Sequence, residues 1–235
     1  MRIGKRTAPA LILLAGLVLA GGTQAHDNSA RAIETEDEES SELEVGITDS
    51  VGEVEVTHDD EKVTIRREQD TENTVDDRYA LTSRECPPFC IQPASLHPDV
   101  ETIGELEVLD YLRRRSEGDD SILVVDSRTQ DWVERGTIPG SENIPWTDLS
   151  QSQGADPFTI HDIMTGQFGA EEQEGLWDFS DAKTLVLFCN GPWCGQSPAN
   201  IRTLLRYGYP ADRIKWYRGG MQNWENLGLT TVQDD

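Results

Sequence analysis

Apolar residues come in short runs separated by polar, turn-forming stretches, and the spacing within the runs changes along the chain. Residues 51–57 alternate apolar and polar, Asp59-Asp60 reads as a turn, and residues 62–67 alternate again. That pattern predicts a β-hairpin. An isolated hairpin is marginal in water, so it is expected to dock on the main domain or to pair with Tyr79-Ala80-Leu81-Thr82. Residues 102–115 have helical spacing, with Ile103, Leu106, Leu109, Tyr111 and Leu112 on one face and Thr102 with Glu105 as a capping box. Residues 122–125 and 184–188 are apolar without a polar break, as expected of strands covered on both faces. Asn143-Ile144 and residues 214–217 read as further strands. A helix opens at Ser197-Pro198, with Ser197 as N-cap, Pro198 in the first helical position, and Ile201, Leu204 and Leu205 toward the core. Alternating strands and helices predict an α/β domain: a parallel sheet flanked by helices, preceded by a small β-hairpin region, with its site at the carboxyl ends of the strands. Residues 150–182 form an insertion before the last long apolar strand, read as a helix-rich surface connection, with a lid over the site as the other possibility.

The N-terminal stretch is of a different kind. Residues 1–25 carry Arg2, Lys5 and Arg6, then an apolar core over residues 8–20, then Thr23-Gln24-Ala25. This is the pattern of a secretory signal peptide, with an apolar run too short for a good membrane span. It implies a periplasmic or secreted protein with no membrane span after cleavage. Cleavage moves the net charge from −24 to −27 by removing three basic residues. Nucleic acid is excluded as a partner on that charge. Residues 26–45 are acidic and poor in aromatics, which predicts a disordered linker. Residues 46–92 hold the hairpin and a Cys86-Pro87-Pro88-Phe89-Cys90 segment, and residues 93–235 the α/β domain.

Cysteine placement carries the chemistry. Cys189 follows the apolar strand of residues 184–188, and the loop Asn190-Gly191-Pro192-Trp193-Cys194-Gly195-Gln196 leads into the helix at Ser197. A thiol at a strand end, facing loop N–H groups and a helix N-terminus, has a lowered pKa and is a nucleophile. A packed core thiol is the alternative. None of the four histidines forms an evident base for Cys189, so its activation is expected from backbone dipoles. Cys86 and Cys90 read first as a local disulfide in an oxidising compartment. A relay to Cys189 and Cys194, or a four-cysteine zinc site, remain open readings. Zinc would consume the nucleophile, and no metal or other cofactor is expected.

Flanking segments narrow the reading. Asp126-Ser127-Arg128 follows a strand; Trp132 and Gly136-Thr137-Ile138-Pro139-Gly140-Ser141-Glu142-Asn143-Ile144-Pro145 come next; Gly219-Gly220-Met221-Gln222-Asn223-Trp224 closes the chain beyond the cysteine loop. This ordered set resembles the rhodanese-like (sulfurtransferase) family over roughly residues 100–230. The resemblance implies a persulfide carried on Cys189, a small sulfur-containing substrate or a thiol protein acceptor, and Asp126 and Arg128 as structural support.

The chain also departs from that family. Thr137 stands where a histidine is usual. The loop takes eight steps from Cys189 to Ser197 where six are common, and it holds no Arg or Lys. Gly195 occupies the arginine position of a C-x5-R loop, which removes the bidentate phosphate fork and with it a phosphatase reading. Thiosulfate, a dianion, is a doubtful substrate for the same reason. Arg202 and Arg218 are the candidates for electrostatic support. Cys194 is either a resolving thiol for a Cys189 persulfide or a second packed cysteine. Two further alternatives stay open: a non-catalytic rhodanese-like binding module, and a thioredoxin-like oxidoreductase that uses Cys194, suggested by Trp193-Cys194-Gly195.

Overall fold

The computed structural model describes residues 44–233. The expected signal peptide and nearly all of the expected acidic linker lie outside those residues. The described chain opens with strands β1 (Glu53–His58) and β2 (Glu61–Arg66), paired antiparallel. Asp59 and Asp60 turn the hairpin with φ of 47° and 64°. Positive φ at both turn residues matches the twist of the flanking strands, and aspartate tolerates it better than most residues.

The main sheet is built from β3 (Glu101–Ile103), β4 (Ile122–Asp126), β5 (Glu142–Asn143), β8 (Thr184–Phe188) and β9 (Ile214–Tyr217), in the order β3-β9-β8-β4-β5 and parallel throughout. Helices α2 (Glu105–Ser116), α6 (Gln196–Tyr207) and α7 (Gly220–Asn226) cover it, with shorter turns α1 (Asp77–Ala80), α3 (Gln130–Val133) and α4 (Trp146–Leu149) between. The unbroken apolar runs are explained by two cores. Ile122, Val124, Val186 and Phe188 point to one, with Val108, Leu109 and Leu112 of α2 and Met221 and Trp224 of α7. Leu123, Val125, Leu185 and Leu187 point to the other, with Ile201 and Leu204 of α6. Each strand therefore feeds both layers by its period-two alternation.

The hairpin docks through Val56 and Ile65, both fully buried in the α2 core. It does not pair with residues 79–82. Tyr79 lies in α1 and is buried in the same core instead. The α2 helix starts three residues later than expected, because residues 101–103 pair with β9 as an edge strand. Its N-terminal bond runs from the Gly104 N–H to Glu107 Oε2 at 3.0 Å, not between Thr102 and Glu105. Leu106 is 54 % exposed, so the buried face is narrower than the apolar pattern suggested.

The insertion over residues 150–182 is not simply helix-rich. It forms α5 (Pro157–Gly166), capped by Asp156, and a small hairpin of β6 (Glu171–Gln173) and β7 (Leu176–Asp178). Ile160, Met164 and Phe168 join the α6-side core. Among the described residues, no helix is long and apolar enough to cross a membrane.

Candidate functional site

β8 ends at Phe188 and delivers Cys189 to the carboxyl edge of the sheet. The chain then turns tightly: the Cys194 N–H bonds the Gly191 carbonyl at 2.9 Å, with Pro192 and Trp193 as the corner residues. Proline at the first corner fits its fixed φ. α6 begins at Gln196 with Gly195 as N-cap, so Ser197 lies inside the first turn and is not the cap expected from sequence. The reason is the partner its hydroxyl finds. Ser197 Oγ is 3.2 Å from Cys189 Sγ and donates to it. Trp216 Nε1, on β9, donates to Ser197 Oγ at 3.2 Å. An indole N–H only donates, so it occupies a lone pair of the hydroxyl and leaves the hydroxyl proton for the sulfur.

Cys189 is 3 % exposed, and burial alone would raise its pKa. Hydrogen bonds from the Cys194 thiol, the Ser197 hydroxyl and the N–H groups of Ser197 and Gly191 outweigh that and bring it down to about 7. The N–H of Ser197 is one of the unpaired donors of the α6 first turn, which is why the helix start matters. Cys194 goes the other way. Burial, and then its hydrogen bond to the charged Cys189 sulfur, hold its thiol well above the ordinary value. The Cys194 thiol also has Gln196 Oε1 within 3.5 Å. Once Cys189 ionises, the charged sulfur is the stronger acceptor. Cys194 is only 4 % exposed, so it sits inside the loop and not on its rim.

A thiolate with a lowered pKa gains charge as pH rises through about 7, so its alkylation rate climbs up to that pH and then levels. Iodoacetamide is therefore expected to label Cys189 first, with Cys194 still protonated. A hydrogen bond to a charged group contributes about 1.5–3 kcal/mol. Ser197→Ala should accordingly raise the alkylation midpoint of Cys189 by about one to two pH units. An unchanged midpoint would remove the hydroxyl from the account.

The two arginines named from sequence are not aimed at the sulfur. Arg202 is exposed on α6. Arg218 spends its guanidinium on backbone carbonyls, Nε to Pro93 at 3.0 Å and Nη2 to Gln92 at 2.9 Å. Asp126 and Arg128 are fully buried beneath the loop. Arg128 Nε and Nη2 bond the Asp126 carboxylate at 2.9 and 2.5 Å, and Nη2 also bonds the Gly136 carbonyl at 2.7 Å. Thr137 donates to Asp126 Oδ2 at 2.7 Å, which accounts for a hydroxyl residue in the position where histidine is usual.

Several residues around the loop were missed. Tyr79 donates from its hydroxyl to Asn190 Oδ1 at 3.4 Å, and Trp193 Nε1 donates to Gln222 Oε1 at 2.5 Å. The segment before the domain grips the outer side of the loop. The Arg84 guanidinium lies 3.9 Å from the centre of the Trp193 ring, Phe89 meets that ring edge-on at 5.5 Å, and the Gln92 N–H bonds the Pro192 carbonyl at 2.8 Å. Cys86 and Cys90 in this segment are joined in a disulfide with Cα atoms 4.7 Å apart, while Cys189 and Cys194 are free. The bridge removes two ligands from a four-cysteine zinc set, and no group of three or more ligating side chains with metal-site geometry occurs among the described residues. A cleft of about 740 Å³ runs between this segment and the loop, lined by Leu81, Arg84, Phe89, Pro192 and Trp193 among others.

Comparison with known proteins agrees with this placement. A family model described as Rhodanese-like domain matches residues 108–227. No curated protein matches the chain. Similar solved structures include the BH2092 protein of Bacillus halodurans at 18 % identity, covering 57 % of this chain and 77 % of that one with a TM-score of 0.39. They also include a human single-domain sulfurtransferase at 22 % identity, 53 % and 95 % coverage and a TM-score of 0.34. A rhodanese with anions from E. coli is 18 % identical, with 48 % and 99 % coverage and a TM-score of 0.31. With a parallel sheet delivering a cysteine loop at its carboxyl edge and the family model spanning just over half of the chain, the protein belongs to the rhodanese-like domain family.

Proposed function

We propose that the protein is an extracytoplasmic sulfurtransferase or sulfane-sulfur carrier that holds sulfur as a persulfide on Cys189, with Cys194 as the resolving thiol. The observation that carries this reading is a buried sulfur at the end of a parallel strand that accepts from the Ser197 hydroxyl at 3.2 Å, with its pKa lowered to about 7. The Cys189 thiolate attacks the sulfane sulfur of a donor R–S–SH. The donor S–S bond breaks, R–S⁻ leaves, and the Cys189 persulfide forms. Cys194 then attacks Cys189 Sγ, hydrosulfide leaves, and a Cys189–Cys194 disulfide remains. The pattern of residues 1–25 and the Cys86–Cys90 bridge support an oxidising compartment.

The absence of a lysine or arginine in the loop favours a persulfide or polysulfide over thiosulfate as donor. Cys189 should load from a polysulfide at least tenfold faster than from thiosulfate at equal concentration, measured by peptide mass spectrometry. Faster loading from thiosulfate would contradict the assignment of the donor class. The thioredoxin-like reading, in which Cys194 attacks, is opposed by the raised pKa of that thiol.

A further inference from the structure

We infer that Cys86 and Cys90 form a second redox centre that regenerates the loop, accepting the Cys189–Cys194 disulfide by thiol–disulfide exchange and passing it to an external thiol reductant. The inference rests on the loop chemistry proposed above. The resolving step leaves the inner pair oxidised, and a further turnover needs two electrons delivered to two buried sulfurs. Both are nearly closed to solvent, at 3 % and 4 % exposure. The outer pair stands at the surface, with Cys86 exposed and Cys90 half-buried.

The two pairs share one neighbourhood. Cys86 and Cys90 line the same cleft as Pro192 and Trp193, the residues directly before Cys194. Gln92 connects the walls. Its Nε2 donates to the Cys90 carbonyl at 2.9 Å, its N–H bonds the Pro192 carbonyl at 2.8 Å, and a Cβ on Gly195 would lie 3.7 Å from the same Nε2. Cys90 and the Cys194-Gly195 peptide therefore flank a single side chain. The Trp193 ring, held by Arg84 and Phe89, lines the cleft beside the outer pair, and the exchange requires the Pro192-Trp193 corner to swing.

The exchange balances without any other reactant. With the outer pair reduced, the Cys90 thiolate attacks Cys194 Sγ. The Cys189–Cys194 bond breaks and Cys189 departs as thiolate. Cys86 then attacks Cys90 Sγ, releasing Cys194 and closing the Cys86–Cys90 disulfide. Two outer thiols are oxidised and two inner thiols are restored. Attack at Cys194 is the favoured direction because the sulfur of lower pKa is the better leaving group, and that sulfur is Cys189. The structure holds the end state of this sequence, with the outer pair joined and the inner pair free. An external dithiol then reduces the exposed outer bridge.

The test uses the full chain, reduced with a dithiol and freed of it. A Cys86→Ser variant is oxidised with diamide, which needs no sulfur donor, and its cross-links are mapped by mass spectrometry. A Cys90–Cys194 mixed disulfide is expected, because Cys90 attacks and no Cys86 remains to release it. In the wild type, the inner disulfide made with a limiting polysulfide should disappear as the Cys86–Cys90 bridge appears. In Cys86→Ser/Cys90→Ser it should persist at least tenfold longer. The inference is overturned if Cys90 never links to Cys194 in the single variant, or if the inner disulfide decays equally in wild type and double variant. Because diamide replaces the donor in the first arm, a failure of Cys189 to carry sulfur shows separately, as absent loading by polysulfide alongside a formed Cys90–Cys194 cross-link.

Discussion

Gly220→Ala is expected to remove sulfur loading at Cys189 by at least about a hundredfold while leaving the sheet in place. Gly220 opens α7 with φ of +55°, and a Cβ there would lie 2.1 Å from the Cys189 carbonyl oxygen and 2.8 Å from the Gly191 nitrogen. Both neighbours are backbone, so neither can yield by rotating a side chain. The approach is close because α7 docks directly on the loop. The Met221 N–H bonds the Cys189 carbonyl at 3.0 Å and the Gln222 N–H bonds the Asn190 carbonyl at 2.9 Å. A methyl group must push the loop off these donors or unwind the start of α7. Left-handed backbone costs about 1–2 kcal/mol for a residue with a Cβ, and overpacking about 1–3 more. The expected destabilisation is therefore about 2–5 kcal/mol by denaturant unfolding. Alkylation of Cys189 at pH 7 should slow in parallel. A Gly220→Ala protein with wild-type stability and Cys189 reactivity would show that the close approach has no consequence.

Asp126→Ala should cost about 3–5 kcal/mol of folding free energy, because it strands the Arg128 guanidinium without its counter-charge. Both side chains are 1 % exposed, and three Arg128 contacts to the carboxylate lie between 2.5 and 3.0 Å. The loss would also reach the loop. Thr137 gives up its acceptor, and the end of β4 is tied to that of β8 through the Ser127 N–H and the Phe188 carbonyl at 3.0 Å. Removing a buried pair together is far less harmful than removing one member. Asp126→Leu/Arg128→Met should therefore recover much of the stability lost in the single variant. A loss below about 1 kcal/mol for Asp126→Ala would mean that Arg128 finds another partner.

The segments flanking the cysteine loop were legible through their resemblance to a family, and the structure shows the contact behind each. Asp126-Ser127-Arg128 places a carboxylate and a guanidinium two residues apart for a buried pair, and Gly219-Gly220 marks where a helix meets a loop backbone. β4 and β8 were legible because strands buried on both faces are apolar along nearly their whole length, and β9 because Ile214, Trp216 and Tyr217 flank a single Lys215. β3 was not, because two of its three residues are exposed and carry no pattern. The role of Trp216 was hidden, since an indole that aims a serine hydroxyl looks like any core aromatic. The grip of residues 84–92 on Trp193 was hidden for another reason. Arg84 and Trp193 are far apart in the chain, and no local spacing encodes their meeting. Arg202 and Arg218 are close to the loop in sequence, yet helix geometry turns one to solvent and backbone carbonyls occupy the other.

The claim that Cys189 carries sulfur is tested most directly by peptide mass spectrometry of the reduced protein after a brief exposure to polysulfide. Three chains are compared: wild type, Cys189→Ser and Cys194→Ser. Cys194→Ser should hold one added sulfur atom on Cys189, and hold it stably, because no resolving thiol remains to expel it. The wild type should release hydrosulfide and pass through a Cys189–Cys194 disulfide. Cys189→Ser should take up no sulfur. Sulfur found on Cys194 in the Cys189→Ser protein, or no sulfur on Cys189 in any of the chains, would contradict the account.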